Sequence, residues 1–322
     1  MSRVLLTGAT GLIGRFLCDQ LISDNQHITA IQRNPDVNSE NVNWREGDIT
    51  DPISLAAAME GVDTVVHAAA MVSFQPGEER MLESVNVGGT RNVVNACLKS
   101  GVKRLVYMSS VSAIGRYPGS QTVDESAPWD GGRSPYGKTK YLAELEVFRG
   151  QEEGLEIAIA NPTVVLAPGA LHRSTGRLFQ YALQGRPFYT DGLAGCVDVR
   201  DVARVIGLMV NGKGTGERYL LNAEMITWRE LFSGLALRFG TKPPWIRIPP
   251  KALAVAAAIE KIRSVLTGQE PLVTADAVRL ASEPHSYDAS KSVRELGFTY
   301  TPLQDTLDWV CAEIRNQGAI AL

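Results

Sequence analysis

The sequence predicts an α/β fold: a doubly wound parallel sheet followed by a smaller, mostly helical C-terminal region. Three observations carry this. Short β-rich runs alternate with helix-spaced segments through the first half, the pattern of βαβ units. A glycine-rich turn sits between the first such run and the first helical segment. After about Ala167 the alternation gives way to a region rich in Gly, Arg and aromatics. From about Asn222 the chain reads as helical, broken by Pro243-Pro244 and Pro249-Pro250.

In chain order, Arg3–Thr7 reads as a buried strand. Leu12–Ser23 follows as a helix with Leu12, Ile13, Phe16, Leu17 and Leu21 on one face. His27–Gln32 is a strand, Ile53–Met59 a helix, Thr64–His67 a strand and Val85–Ser100 a helix. Arg104–Met108, Tyr136–Phe148 and Ile157–Ala160 continue as strand, helix and strand. Strands joined through helices lie parallel and cross over with a right hand. Cys196–Val210 adds a strand and a helix, with Asp201 expected as its N-cap. The expected first domain is 1–167, with 196–221 returning to it, and the second is 168–195 plus 222–322.

A chain of 322 residues, 44% hydrophobic and 21% charged, is globular rather than disordered. Lys and Arg number 32 against 35 Asp and Glu, a net charge of −3. That lacks the basic surplus of a dedicated nucleic-acid or anionic-membrane binder, so neither partner is expected. Cys18, Cys97, Cys196 and Cys311 form no CxxC and read as buried reduced thiols. Met1-Ser2-Arg3 leads straight into the first strand, and the expected location is cytoplasmic. The apolar run from Ala252 to Ile259 is too short to span a bilayer. His67 and the three other histidines are scattered, with no ligand-like pair, and no metal is expected.

Thr7-Gly8-Ala9-Thr10-Gly11-Leu12-Ile13-Gly14 stands where a dinucleotide loop belongs. Gly8 permits the tight turn, Gly11 lets backbone approach a pyrophosphate, and Gly14 packs helix against strand. The helix N-terminus then offers free N–H groups to the phosphates. The second strand ends in Gln32-Arg33-Asn34 without the acid that usually holds the ribose diol of NAD.

Ser134-Pro135-Tyr136-Gly137-Lys138-Thr139-Lys140 opens a helix, with Ser134 as cap and Pro135 at its first position. Tyr136 and Lys140 then share one face at i and i+4, whereas Lys138 points elsewhere. A nearby ammonium favours phenolate, which a general acid/base near neutrality requires. Ser109-Ser110-Val111-Ser112 follows the strand Arg104–Met108, and its hydroxyls fall at the carboxyl end, where parallel sheets bind ligands.

These motifs occur in one order with Gly47-Asp48-Ile49, His67-Ala68-Ala69-Ala70, Asn86-Val87-Gly88-Gly89-Thr90, Asn161-Pro162-Thr163-Val164-Val165, Val197-Asp198-Val199-Arg200-Asp201-Val202-Ala203 and Leu296-Gly297-Phe298. Together they resemble the extended short-chain dehydrogenase/reductases over nearly the whole chain, in the branch of dihydroflavonol-4-reductase and 3β-hydroxysteroid dehydrogenase relatives. The resemblance implies a Rossmann-type domain and hydride transfer between a carbonyl and a secondary alcohol. Ser110, Tyr136 and Lys140 would be the catalytic residues. Cofactor contacts are implied for Thr7, Gly8, Thr10, Gly11, Leu12, Ile13, Gly14 and Ser109. Asp48 and Ile49 would hold the adenine, Ala68, Ala69 and Ala70 would line the cofactor, and Asn86 would support its nicotinamide half. Pro162, Thr163 and Val164 would touch the nicotinamide ring, and Arg33 would meet a 2′-phosphate. The implied cofactor is NADP, with NAD as the alternative, and the implied partner is a small-molecule substrate, with a homodimer left open.

Four positions depart from relatives. Ala167 stands where many have Gly, Val111-Ser112 replace the Asp-Glu pair of nucleotide-sugar dehydratases, and Pro162 stands where many epimerases have an aromatic residue. A nucleotide-sugar epimerase using the same triad and a non-catalytic nucleotide-binding sensor are the rival readings. Met71, Val72, Phe74, Ala113, Ile114, Leu166 and Tyr189 are expected to wall an apolar substrate pocket. His172, Arg173, Arg177 and Arg186 are the charges a nucleotide sugar would need.

Overall fold

A computed structural model describes residues 2–34, 41–73, 75, 77–116, 122–131, 134–171, 175–267 and 286–317. The chain opens with β1 (Arg3–Thr7), α1 (Gly14–Ser23), β2 (His27–Gln32), β3 (Val42–Glu46), α2 (Pro52–Ala58) and β4 (Thr64–His67). A long helical stretch follows: α3 (Glu79–Leu82), a π-helical turn at Glu83–Gly88, and α4 (Gly89–Ser100). Next come β5 (Arg104–Met108), a 3₁₀ turn at Val111–Ala113, β6 (Thr122–Val123), α5 (Pro135–Glu152), β7 (Glu156–Pro162) and β8 (Val164–Leu166). The remainder is α6 (Gly176–Leu183), β9 (Phe188–Tyr189), β10 (Leu193–Asp198), α7 (Val199–Val210), β11 (Glu217–Leu221), β12 (Glu224–Thr227), α8 (Trp228–Phe239), β13 (Ile246–Arg247), α9 (Pro250–Thr267), β14 (Ser286–Tyr287), α10 (Ser290–Leu296) and α11 (Leu303–Asn316).

Seven strands form one sheet in the order β11-β7-β5-β4-β1-β2-β3, every pair parallel. The winding reverses between β1 and β4, so the carboxyl ends of these two strands open a crevice. Both faces are covered, which explains the continuous apolar runs of the inner strands. On one face Val4, Leu6 and Ala30 pack with Leu17 and Leu21 of α1 and Val202, Ile206 and Met209 of α7. On the other, Leu5, Val65, Leu105 and Ile157 pack with Leu55, Val93, Cys97, Ala143 and Val147.

A second, three-stranded sheet has the order β12-β10-β8, with β10 parallel to β8 and antiparallel to β12. Its core joins Ala194, Cys196 and Ile226 to Phe179 of α6, Leu231 and Leu235 of α8, and Leu307 and Val310 of α11. Thr227 starts α8 with a capping box, its hydroxyl accepting from Glu230 N at 3.1 Å. All four cysteines are buried and free. Among the described residues no helix is long and apolar enough to cross a membrane.

Three sequence expectations change. Strand β3 was not foreseen: it is the outer strand, only Val42 of it is buried, and it lacks an apolar run. Helix α1 starts at Gly14 rather than Leu12, because the loop continues through Ile13. The N-cap of α7 is Asp198, whose Oδ1 accepts from Arg200 N at 2.8 Å. Asp201 instead lies inside the first turn, fully buried, and accepts from Thr301 N at 2.7 Å and Thr301 Oγ1 at 2.8 Å. Phe74, His172 and Arg173 lie outside the described residues.

Candidate active site

The crevice begins with the glycine loop. Gly8 has φ +77°, and a Cβ there would stand 2.6 Å from Ala69 N, so the turn runs directly under the residues leaving β4. A Cβ on Gly14 would stand 2.1 Å from Gly8 O, so no side chain fits where α1 meets the loop. Thr10 and Gly11 are exposed, and Leu12 and Ile13 are half-buried. The N-terminus of α1 has no side-chain cap. An exposed backbone cradle leading into an uncapped helix N-terminus fits a dinucleotide pyrophosphate.

Around it, Arg33 is exposed just past the end of β2. Asp48 lies beyond β3, and its Oδ1 accepts from Thr50 N and Thr50 Oγ1, both at 2.8 Å. Ile49 is buried, and a Cβ on Gly89 would stand 2.6 Å from its Cδ1. Ala68, Ala69 and Ala70 lead from half-buried to exposed at the end of β4. Pro162 and Thr163 are buried at the carboxyl end of β7, and Val164 is half-buried at the start of β8.

Some of these side chains are used inside the protein. The Thr7 hydroxyl is shared with His67 Nδ1 at 2.7 Å and accepts from Ala69 N at 3.2 Å. Asn86, 1% exposed, sits in the π-helical turn, a feature that redirects side chains at functional places. Its Oδ1 accepts from Met71 N at 2.8 Å, and its Nδ2 donates to Met71 O at 2.9 Å and Thr139 Oγ1 at 3.0 Å. Asn86 thereby ties the loop after β4 to α5. The Thr163 hydroxyl donates to Leu221 O and Asn222 Oδ1, both at 3.1 Å. The Ser109 hydroxyl donates to the Glu144 carboxylate.

Ser134 caps α5, its Oγ accepting from Gly137 N at 2.9 Å, with Pro135 in the first turn. This places Tyr136 and Lys140 on one helical face, opposite the end of β5. Ser110 acts on the Tyr136 phenol in the direction that eases loss of its proton. Burial pushes that phenol up to about 12, and the Ser110 contact works in the opposite direction. Lys140 is 1% exposed; its Nζ donates to Tyr107 OH at 2.7 Å and Met108 O at 2.8 Å. Burial brings its ammonium down to about 7, against the opposing charge of Glu144. Lys138 is exposed.

Behind Lys140 runs a buried polar chain that sequence reasoning did not assemble. The Tyr107 ring lies 5.5 Å from the ring of His67, whose Nε2 contacts Thr90 Oγ1 at 3.1 Å. Through Thr7 this chain reaches the glycine loop. Burial, and secondarily the Lys140 charge, lowers His67 to about 3, so it is neutral: a core histidine rather than a ligand. No metal-binding cluster occurs among the described residues. Of the expected pocket residues, Met71 and Tyr189 are half-buried and Val72 is exposed, but Leu166 and Ile114 are packed in cores. Arg177 and Arg186 are on the surface.

The profile of the NAD dependent epimerase/dehydratase family matches residues 4–221, from β1 through β11. The chain belongs to this family. Within it, a Synechocystis sp. protein that carries the name dihydroflavonol 4-reductase is 31% identical, over 98% of this chain and 95% of its own length. Sterol demethylase protein B of Methylococcus capsulatus is also 31% identical, over 98% of this chain and 99% of its own. The crystal structure of gox2253 superposes with a TM-score of 0.85 at 29% identity, covering 99% of this chain and 100% of that one. The extended short-chain dehydrogenase/reductase assignment read from the motifs therefore stands, and family membership makes the protein an NAD(P)-dependent enzyme of oxidoreductase type.

Proposed function

We propose that this enzyme is an NADP-preferring reductase or dehydrogenase that interconverts a carbonyl and a secondary alcohol, with Ser110, Tyr136 and Lys140 as its catalytic residues. The observation that carries the reading is Lys140, buried one helical turn from Tyr136 on α5, with Ser110 following the carboxyl end of β5. The loop from Thr7 to Gly14 would hold the pyrophosphate, Asp48 and Ile49 the adenine, and Ala68 to Ala70, Asn86, Ser109 and Pro162 to Val164 the rest of the dinucleotide. For Thr7, Ser109 and Thr163 the contact would come from backbone, since their hydroxyls are engaged. When bound, the dinucleotide supplies or accepts the hydride.

The chain's own residues handle the proton. Ser110 orients the substrate oxygen. Tyr136 gives that oxygen its phenolic proton in reduction and takes it back in oxidation. The phenolate left behind is stabilised by the Lys140 ammonium and the Ser110 hydrogen bond, each pK unit being worth about 1.4 kcal/mol. Arg33, exposed just past the end of β2, favours the 2′-phosphate of NADP by a charge-assisted contact. Apolar Met71 and Val72 beside a few hydroxyls suit a small or medium, mostly uncharged ketone, aldehyde or alcohol.

A carbonyl-substrate screen following NADPH absorbance tests this. The expected result is oxidation of NADPH in step with alcohol formed. Binding of UDP, GDP or dTDP to the NADP-loaded protein tighter than about 100 μM, together with catalysis without net NADPH turnover, would move the reading to a nucleotide-sugar epimerase.

A further inference from the structure

Glu144 is 1% exposed and stands one helical turn beyond Lys140 on α5, yet the proton transfer above does not use it. An isolated carboxylate at such a depth would be strongly disfavoured unless paired and hydrogen-bonded. Here it accepts from Ser109 Oγ, from Asn161 Nδ2 at 2.6 Å, and from Arg218 Nη1 at 3.3 Å. Each partner belongs to a different part of the site. Ser109 precedes the catalytic serine. Asn161, on β7, also donates to Ser110 O at 3.0 Å. Arg218 is on β11, and its Nε donates to Glu125 O at 2.9 Å.

The charged and titratable groups around Lys140 are few. Tyr136 and Glu144 share its helix, Tyr107 faces it from β5, and His67 on β4 is neutral. Arg218 reaches in from β11, and Glu125 beyond it accepts from Leu220 N at 2.7 Å. Among the described residues Glu144 is thus the one anion close to the ammonium in the buried layer, and Arg218 is the cation that partly neutralises it.

We propose that Glu144 is a positioning residue: its buried carboxylate locks the end of β5 that carries Ser110 and serves as the counter-charge that keeps Lys140 protonated, with Arg218 setting how much of that charge Lys140 feels. The proposal rests on the reading in which Lys140 acts as an ammonium. It makes opposite demands of the two members of one ion pair. Losing Glu144 removes the anion and makes Lys140 a weaker base. Losing Arg218 unmasks the anion and makes Lys140 a stronger one. A contact that served only packing would give no such opposition of sign.

The test uses the full-length protein without cofactor, lysine labelled with ¹³C at Cε, and the Lys140 resonance assigned by its loss in Lys140→Met. Its titration midpoint is expected to fall in Glu144→Gln by about one pH unit, a tenfold change in the protonation constant, and to rise in Arg218→Met. Unchanged midpoints, or shifts of the same sign in both variants, would overturn the proposal. Should Glu144→Gln not fold, Arg218→Met decides alone: a rise supports the proposal and an unchanged midpoint overturns it. Because this readout needs no turnover, opposed shifts in a protein without carbonyl reductase activity would leave Glu144 so assigned while removing the proposed reaction.

Discussion

At Gly14 a single added carbon would stand 2.1 Å from a backbone oxygen. At Lys140 four methylenes and a charge are enclosed to 1% exposure. Both positions belong to the proposed site. The proposed phosphate loop depends on missing side chains, which would leave backbone N–H groups bare to an anion. The proposed catalytic helix depends on a long charged side chain that is present, its ammonium donating to Tyr107 OH and Met108 O. The first arrangement fails when anything is added, and the second when anything is removed.

Removing one oxygen from the catalytic wall should give the largest effect. Tyr136→Phe is expected to lower turnover by about 10²-fold or more while leaving the fold and dinucleotide affinity intact, as steady-state kinetics and dinucleotide titration would show. Adding one methyl to the other wall should do the reverse. Gly14→Ala is expected to cost about 1–3 kcal/mol in urea denaturation through overpacking, and to weaken dinucleotide binding about tenfold. If that variant kept its stability, the loop would be more pliable than the contrast allows.

Two further substitutions test how far each wall extends. Arg33→Ala should reduce the preference for NADPH over NADH by roughly 10- to 100-fold with stability unchanged, and equal use of both cofactors by the wild type would remove Arg33 from the cofactor site. His67 probes the buried chain behind Lys140. Its ordinary value is 6.5 and its folded value about 3, so the unfolded chain takes up a proton that the folded one refuses. Stability therefore falls as pH drops from 6.5 towards 3, by about 1.4 kcal/mol per unit. Between pH 7 and 5 the wild type should lose about 2 kcal/mol more than His67→Gln, measured by denaturant titration at both values. The smallest effect belongs to Lys138→Ala: this lysine is exposed beside the catalytic face, and kinetics and stability should stay close to wild type.

Legibility followed the same contrast. Strands β2, β4 and β5 were read at their observed limits because sheets covered on both faces require unbroken apolar β-formers. Strand β3, Val-Asn-Trp-Arg-Glu, has one buried residue and gave no such signal. Strand β8 is three residues long and follows β7 after a single residue, so nothing local separated them. In the site, glycine spacing and Tyr-x-x-x-Lys are short-range patterns and were visible. The partners of Lys140 were not: Tyr107 is 33 residues away, and Glu144 meets Arg218 across 74. Only Glu144 carried a local hint, four residues beyond Lys140 on one helix. Asp201 was mistaken for a cap because its real partner, Thr301, lies 100 residues on.

Strand β11 has a consequence for how the molecule comes into being. The large sheet reaches β7 at residue 162, and the edge strand opposite β3 joins only at 217–221, after the chain has passed through β8, α6 and β10. Emerging from a ribosome, the nascent protein therefore shows an unpaired row of amide and carbonyl groups along β7, and the surface of α1 that α7 later covers stays wet. Unpaired strands of this kind recruit other chains. A fragment ending at Ala167, which holds every glycine of the phosphate loop and both Tyr136 and Lys140, is expected to aggregate. One ending beyond Leu221 closes the large sheet, and sedimentation of the two fragments would separate the cases.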